Sequence, residues 1–150
     1  MSRRDIKLNL ITIKLKRLMI TVYTDGSCFK NRKGGNASVF LQNDVILFCL
    51  IEKCEDTTNN REELKAVINS LEYLSNYEEK ILVCSDSKYV IKGITEWISS
   101  WEKKNYKNIK NSDLWKKLLT LKKSNCSFKK IKAHSGDRFN DLADRLSKYN

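Results

Sequence analysis

Ile20-Thr21-Val22-Tyr23-Thr24-Asp25-Gly26-Ser27-Cys28 is the stretch from which the fold is read. Apolar and β-branched residues alternate with polar ones, the pattern of a half-buried β-strand. A carboxylate, Asp25, stands near its end and a glycine follows at once. An acid on a strand is held by main-chain hydrogen bonds on both sides and is rigid where a loop acid is not. Glu63, Asp86 and Asp144 recur downstream in comparable settings. A lone strand-end Asp is ordinarily a turn former, and a Glu opening a helix ordinarily serves the helix dipole. The expectation that the four converge therefore rests on the segments around them.

Downstream of that strand the chain alternates short strands and helices. After the turn 28–35, which closes on Gly34-Gly35, runs at 37–41 and 45–51 flank Asn43-Asp44, so residues 20–52 read as an antiparallel meander. Leu64, Val67, Ile68, Leu71 and Leu74 recur at three and four, which predicts a helix over 59–77. The continuously apolar run 81–84 predicts a strand buried on both faces. Helices follow after Asp86 (through Tyr89, Val90, Ile91 towards Trp97, Ile98 and Trp101) and over 114–121, then a strand at 126–131 and a last helix over 139–149. The order is that of an α/β domain: a meander growing into a mixed sheet flanked by helices.

The 150 residues suit one domain with a real core. No long uncharged apolar run occurs, so no membrane span is expected. A net charge of +11 points to a polyanionic partner. Five cysteines, at 28, 49, 54, 84 and 126, form no C-x-x-C, which predicts reduced thiols and an intracellular, cytoplasmic protein. One histidine and no cysteine pair argue against zinc. Residues 1–18 form a basic extension (Arg3, Arg4, Lys7, Lys14, Lys16 and Arg17 against Asp5) in which Ile6, Leu8 and Leu10 alternate with Lys7 and Asn9. They read as an added edge strand or a loose arm. Without an apolar run or cleavage site they make a weak targeting peptide, fitting a mitochondrial presequence only loosely.

Asp86 follows its strand as Asp25 ends its own, so the two carboxylates are expected side by side. Like charges that close repel unless cations lie between them. Carboxylates without thiolates or clustered imidazoles suit Mg²⁺ or Mn²⁺, and two such ions clamp the attacking and leaving oxygens of a phosphoryl transfer.

Tyr23-Thr24-Asp25-Gly26-Ser27, Thr57-Thr58-Asn59-Asn60-Arg61-Glu62-Glu63-Leu64, Ser85-Asp86-Ser87-Lys88-Tyr89-Val90, and His134-Ser135-Gly136 ten residues before Asp144 together resemble ribonuclease H type 1. The resemblance runs through residues 19–148, and residues 19–150 are taken as the catalytic domain. It implies a ribonuclease H-like fold with a five-stranded mixed sheet whose first three strands are antiparallel. It also implies a monomeric endoribonuclease that hydrolyses the RNA strand of RNA/DNA hybrids with two Mg²⁺ ions, or Mn²⁺ in their place. Asp25, Glu63, Asp86 and Asp144 match the four metal-binding acids, with Asp25 bridging both ions. His134 matches a mobile histidine assisting proton transfer or product release. Cys28, Asn31, Asn59 and Asn60 match positions facing the RNA strand, where the 2′-OH is read. Thr58 and Asn111 match a DNA-phosphate pocket, and Tyr89 and Trp97 match the lining of the DNA channel.

Between Glu102 and Lys132 stand eleven lysines against Glu102 and Asp113. Among them Lys103, Lys104 and Lys107 match a basic protrusion that grips hybrid, with Trp101 and Tyr106 interleaved as nucleic-acid grips often have. For Trp101, packing between helices is an equal alternative. The chain departs from the family pattern at three places. Asp56 replaces an Arg commonly found two residues before Thr58, and is expected to repel the phosphate. Arg32-Lys33 thins the glycine-rich turn. The protrusion is several residues short. Two other readings compete: a hybrid-binding module without turnover, and a resolvase- or transposase-type nuclease. Intact acids at all four places speak against the first, and Asn31, Asn59 and Asn60 against the second.

Overall fold

The computed structural model describes residues 2–148, the side chains of 11–17 excepted. The strands are β1 (Ile20–Cys28), β2 (Gly34–Gln42), β3 (Val45–Cys54), β4 (Ile81–Ser85) and β5 (Cys126–Lys130). They form one sheet in the order β3-β2-β1-β4-β5. β1 pairs antiparallel with β2, and β2 with β3, as the meander pattern predicts; β4 lies parallel to β1, and β5 parallel to β4. This is the ribonuclease H-like arrangement expected. The helices are α1 (Arg3–Leu18), α2 (Asn59–Tyr73), α3 (Lys88–Lys92), α4 (Ile98–Lys103), α5 (Ser112–Leu121) and α6 (Arg138–Ser147), with a π-helical turn (Gly93–Trp97) between α3 and α4. The expected end of the last helix at Tyr149 lies outside the described residues.

Side-chain alternation along β1 divides the core in two. Ile20 and Val22 face α2, where the stripe Leu64, Val67, Ile68 and Leu71 joins Phe40, Val83 and the fully buried Trp115 of α5. Burying each such side chain contributes roughly 1.5–3 kcal/mol. Tyr23, with Val39 and Leu41, faces α6 through Ala143, Phe139, Leu142 and Leu146. Thus α2, backed by α5, closes one face and α6 the other, and the end of β1 lies between α2 and α6.

Gly26 sets how closely α2 approaches. A Cβ there would lie 2.2 Å from Glu63 N and 2.3 Å from Glu62 C, both backbone atoms. Gly26→Ala therefore forces the opening of α2 off the strand. Its expected cost is roughly 2 kcal/mol, read as a lowered urea midpoint, with cleavage impaired because Glu63 moves.

Two expectations need correction. Residues 3–18 form a helix, neither an edge strand nor a loose arm. Ser2 caps it: its Oγ accepts from Asp5 N–H at 3.1 Å while Asp5 Oδ2 accepts from Ser2 N–H at 2.9 Å. Ile6, Leu8 and Leu10 are exposed; two-residue alternation makes a strand only where a sheet edge buries one face. Tyr106 is buried in the main core rather than interleaved with the lysines. Trp101 packs edge-on against Trp115 at 5.1 Å, which decides for its packing role. No helix among the described residues is long and apolar enough to cross a membrane.

Candidate active site

The parallel pairing of β1 with β4 stops at Thr24 opposite Ser85, so Asp25 and Asp86 follow side by side just beyond it; β1 itself runs on to Cys28 against β2, so Asp25 lies within its strand and not at its end. Glu63 comes from the first turns of α2, brought in over Gly26. Carboxylate oxygens of Asp25, Glu63 and Asp86 all lie within 4.8 Å of one another. Asp25 is 4% exposed and Glu63 9%. Burial, together with the charges of Asp86 and Asp144, pushes Asp25 up to about 7 against a hydrogen bond from Ser147. Burial and the charges of Asp25 and Asp86 raise Glu63 well above the ordinary carboxylate range. Glu63 Oε2 is buried without a hydrogen-bond partner.

Asp144, on α6, stands outside that spacing. Its carboxylate is held by Lys148 one turn on, with Nζ 2.8 Å from Oδ1 and 3.1 Å from Oδ2. Ser147 ties the helix to the strand: its Oγ lies 2.8 Å from both Asp25 Oδ2 and the Asp144 carbonyl, with one proton to give. Its carbonyl accepts from Ser27 Oγ at 3.0 Å. Asn140, also on α6 and buried, donates to Asp86 Oδ2 at 3.3 Å. Ser147 and Asn140 are site residues that the sequence reading missed. Polar residues two or three positions from an acid on a helix carry no periodic signal.

The donor set fits a divalent cation of the hard class. Three carboxylates converge, one oxygen is orphaned, and the nearest ammonium belongs to Asp144. Clustered oxygens without thiolate or imidazole suit such an ion, and a cation between them relieves the repulsion that raises Asp25 and Glu63.

His134 sits at φ +52 in the exposed loop between β5 and α6. With Gly136, Asp141, Asp144 and Arg145 it lines an open cleft of about 510 Å³. Cys28 N–H donates to Asn59 Oδ1 at 2.6 Å, joining two of the residues expected to face RNA. Asn31 and Asn60 are exposed nearby in the chain. Thr58 caps α2, its hydroxyl accepting from Arg61 N–H at 3.2 Å. Asn111, in the left-handed region at φ +58, precedes α5. Arg61 connects the two helix starts: Nη1 donates to Asn111 Oδ1 at 3.2 Å, while Nη1 and Nη2 grip Asp113 at 3.1 and 2.9 Å. The Tyr89 hydroxyl accepts from Asn111 Nδ2 at 3.1 Å and Trp115 Nε1 at 2.9 Å, so it anchors Asn111 as well as presenting a ring edge. Trp97 is 36% exposed and leans on Trp101 at 5.8 Å. Lys103, Lys104 and Lys107 are exposed.

Comparison with known proteins agrees with this geometry. The RNase H family profile matches residues 17–150. The chain is 41% identical over 134 residues to the ribonuclease H of Ruthia magnifica, covering 85% of this chain and 92% of the relative. It is 40% identical over 136 residues to that of Caldicellulosiruptor saccharolyticus, covering 86% and 93%. Among solved structures, the crystal structure of LC9-RNase H1, a type 1 RNase H with the type 2 active-site motif, aligns with a TM-score of 0.79 at 22% identity, over 87% of this chain and 70% of that one. A foamy viral protease-reverse transcriptase in complex with RNA/DNA hybrid aligns with a TM-score of 0.80 at 21% identity, over 89% of this chain and 20% of that one. With strands, carboxylates and sequence in agreement, the chain belongs to the ribonuclease H family.

Proposed function

We propose that this chain is an endoribonuclease that hydrolyses the RNA strand of RNA/DNA hybrids, using two divalent ions, Mg²⁺ or Mn²⁺. The observation that carries the reading is the convergence of Asp25 from β1, Asp86 from just past β4 and Glu63 from α2, in a chain of this family. When bound, such ions supply an activated water and neutralise charge on the scissile phosphate. Asp25, Glu63, Asp86 and Asp144 would hold them. The protein's own part is to gather and aim these acids: Ser147 orients Asp25, Asn140 orients Asp86, and Lys148 holds Asp144 at the flank. His134, across the cleft from Asp144, relays a proton or assists departure of the cut strand.

Cys28, Asn31, Asn59 and Asn60 read the 2′-OH side. Thr58 and Asn111, held together by Arg61, take a DNA phosphate, with Tyr89 and Trp97 beside that strand. Residues 19–150 are the catalytic domain and 1–18 a basic extension. All four acids come from one chain, which supports action as a monomer, and five free cysteines support a reducing, intracellular setting.

A substrate panel tests the reading. Hybrid, double-stranded DNA and double-stranded RNA are each incubated with the protein and Mg²⁺. Turnover of the hybrid alone is expected; equal cutting of double-stranded DNA would place the chain with another nuclease class. The lysines test the grip. Replacing Lys103, Lys104 and Lys107 by Ala should flatten the log–log salt dependence of hybrid binding by up to about 2.7, one phosphate contact per lysine. The loss should fall on KM more than on kcat.

A further inference from the structure

The turn joining β1 to β2 and the loop joining β3 to α2 are locked to one another. Thr57 N–H donates to the Arg32 carbonyl at 3.0 Å. Cys28 N–H donates to Asn59 Oδ1, and Cys28 Sγ lies 3.3 Å from the Thr57 carbonyl. Lys33 Nζ meets Glu55 at 3.4 Å. Across the same seam Arg32 Nε meets Asp56 Oδ1 at 2.5 Å. Both partners are in the left-handed region, Arg32 at φ +63 and Asp56 at φ +52, a conformation that Asp visits readily but that is uncommon for Arg. Their side chains are 60% and 83% exposed, and ion pairs so open to water add little to folding. Stability therefore does not account for the arrangement.

What the arrangement does is aim a cation. Asp56 meets the guanidinium at Nε, on its side edge, which leaves the end edge between the two terminal nitrogens outside the pair. That edge is the two-pronged donor that fits a phosphate. The Arg32 carbonyl accepts from the N–H of Thr57, so the Arg32 backbone lies against the residue that precedes Thr58, the cap of α2, and the Asp56 contact holds the guanidinium at that seam. Asp56 does not confront an incoming phosphate alone; its charge is met by Arg32.

We propose that Arg32 contacts a backbone phosphate of the bound hybrid and that Asp56 is its positioning residue. The proposal rests on the hybrid-hydrolase reading above. It makes a specific demand on charge. With Arg32 present, removing Asp56 releases the guanidinium from its aimed position and weakens binding. With Arg32 absent, Asp56 is an unpaired anion near the phosphate, and removing it tightens binding.

The experiment measures equilibrium binding of an RNA/DNA hybrid duplex in a chelating buffer, across a salt series, for five forms: the unaltered protein, Arg32→Ala, Asp56→Ala, the double Ala variant and Arg32→Lys. Arg32→Ala should weaken binding roughly 5–10-fold at low salt and reduce the salt slope by about 0.9, the signature of one lost phosphate contact. Arg32→Lys should retain the slope but recover only part of the affinity, since a point charge lacks the fork. Asp56→Ala should weaken binding, whereas the double variant should bind more tightly than Arg32→Ala. An unchanged slope in Arg32→Ala, or the same sign for Asp56 removal in both backgrounds, overturns the proposal and leaves a mere link between loops. Failure of the unaltered protein to bind or cut hybrid would instead remove the functional reading beneath it.

Discussion

Asp25→Asn melts roughly 10 °C above the unaltered protein when both are metal-free at pH above 7. The cause is the cost of a buried charge. Folding moves Asp25 from 3.8 up to about 7, so the folded state holds its proton more tightly than the unfolded chain does. The sign follows from linkage: this contribution is fully favourable below pH 3.8, declines as pH rises, and is lost by pH 7. The interval from 3.8 to about 7 corresponds to on the order of 4 kcal/mol. Asn carries no charge and escapes the decline, so the two melting curves converge in acid and diverge towards neutrality. Glu63 is raised in the same direction by the same neighbours and steepens the divergence. Mg²⁺ or Mn²⁺ should raise the melting temperature of the unaltered protein by mass action and move that of Asp25→Asn less. Melting curves against pH, with chelator and with metal, read both effects. A constant difference between the two proteins from pH 4 to 8 would contradict the claim.

Glu62→Gln has the opposite effect, a loss of roughly 3 kcal/mol in folding free energy. Glu62 is fully buried beside Glu63, a candidate metal-binding acid. Its carboxylate accepts from Asn36 Nδ2 at 2.8 Å and Thr57 Oγ1 at 2.7 Å, and faces Lys65 Nζ at 3.1 Å. Burial by itself raises its pKa, but these three partners outweigh burial and hold it below 4.5. An amide in its place turns one acceptor into a donor against a donor and leaves the Lys65 ammonium, only 22% exposed, without its buried partner. By linkage, the stability Glu62 supplies is present above pH 4.5 and lost as pH falls through its lower folded value. Urea titrations at pH 7 and pH 3 should therefore separate Glu62→Gln from the unaltered protein strongly at the first and weakly at the second. Equal midpoints at pH 7 would mean that the network stabilises nothing.

The β-meander, the buried strand β4 and the apolar stripe of α2 were legible because alternation and three-four spacing are properties of neighbouring residues. The positions of Asp25 and Asp86 were legible for the same reason: one stands in the last residues of its strand and the other directly after its own, and parallel pairing of those strands does the rest. Other features depend on contacts far apart in sequence. Glu62 looks like a solvated helix residue, yet with Ala66 and Ser70 it lies on a second, polar face of α2 pressed against Asn36 and Ser38. Tyr106 sits among lysines in sequence and in the core in space. Asp56 reads as a repelling charge until Arg32, which lies 24 residues away, is set beside it. Asp144 belongs to the acidic set by its motif, yet its carboxylate pairs with Lys148 one turn later and lies outside the close spacing of the other three.

The central claim is that these carboxylates form the metal centre that cuts the RNA strand. It is tested most directly by following both strands of a labelled hybrid incubated with the unaltered protein and with Asp25→Asn. The account predicts that, with Mg²⁺, the unaltered protein cuts the RNA strand and leaves the DNA strand whole. It also predicts that chelation stops cutting and restored metal revives it, and that Asp25→Asn binds the hybrid without cutting it. Cleavage that continued under full chelation, or that survived in Asp25→Asn, would contradict it.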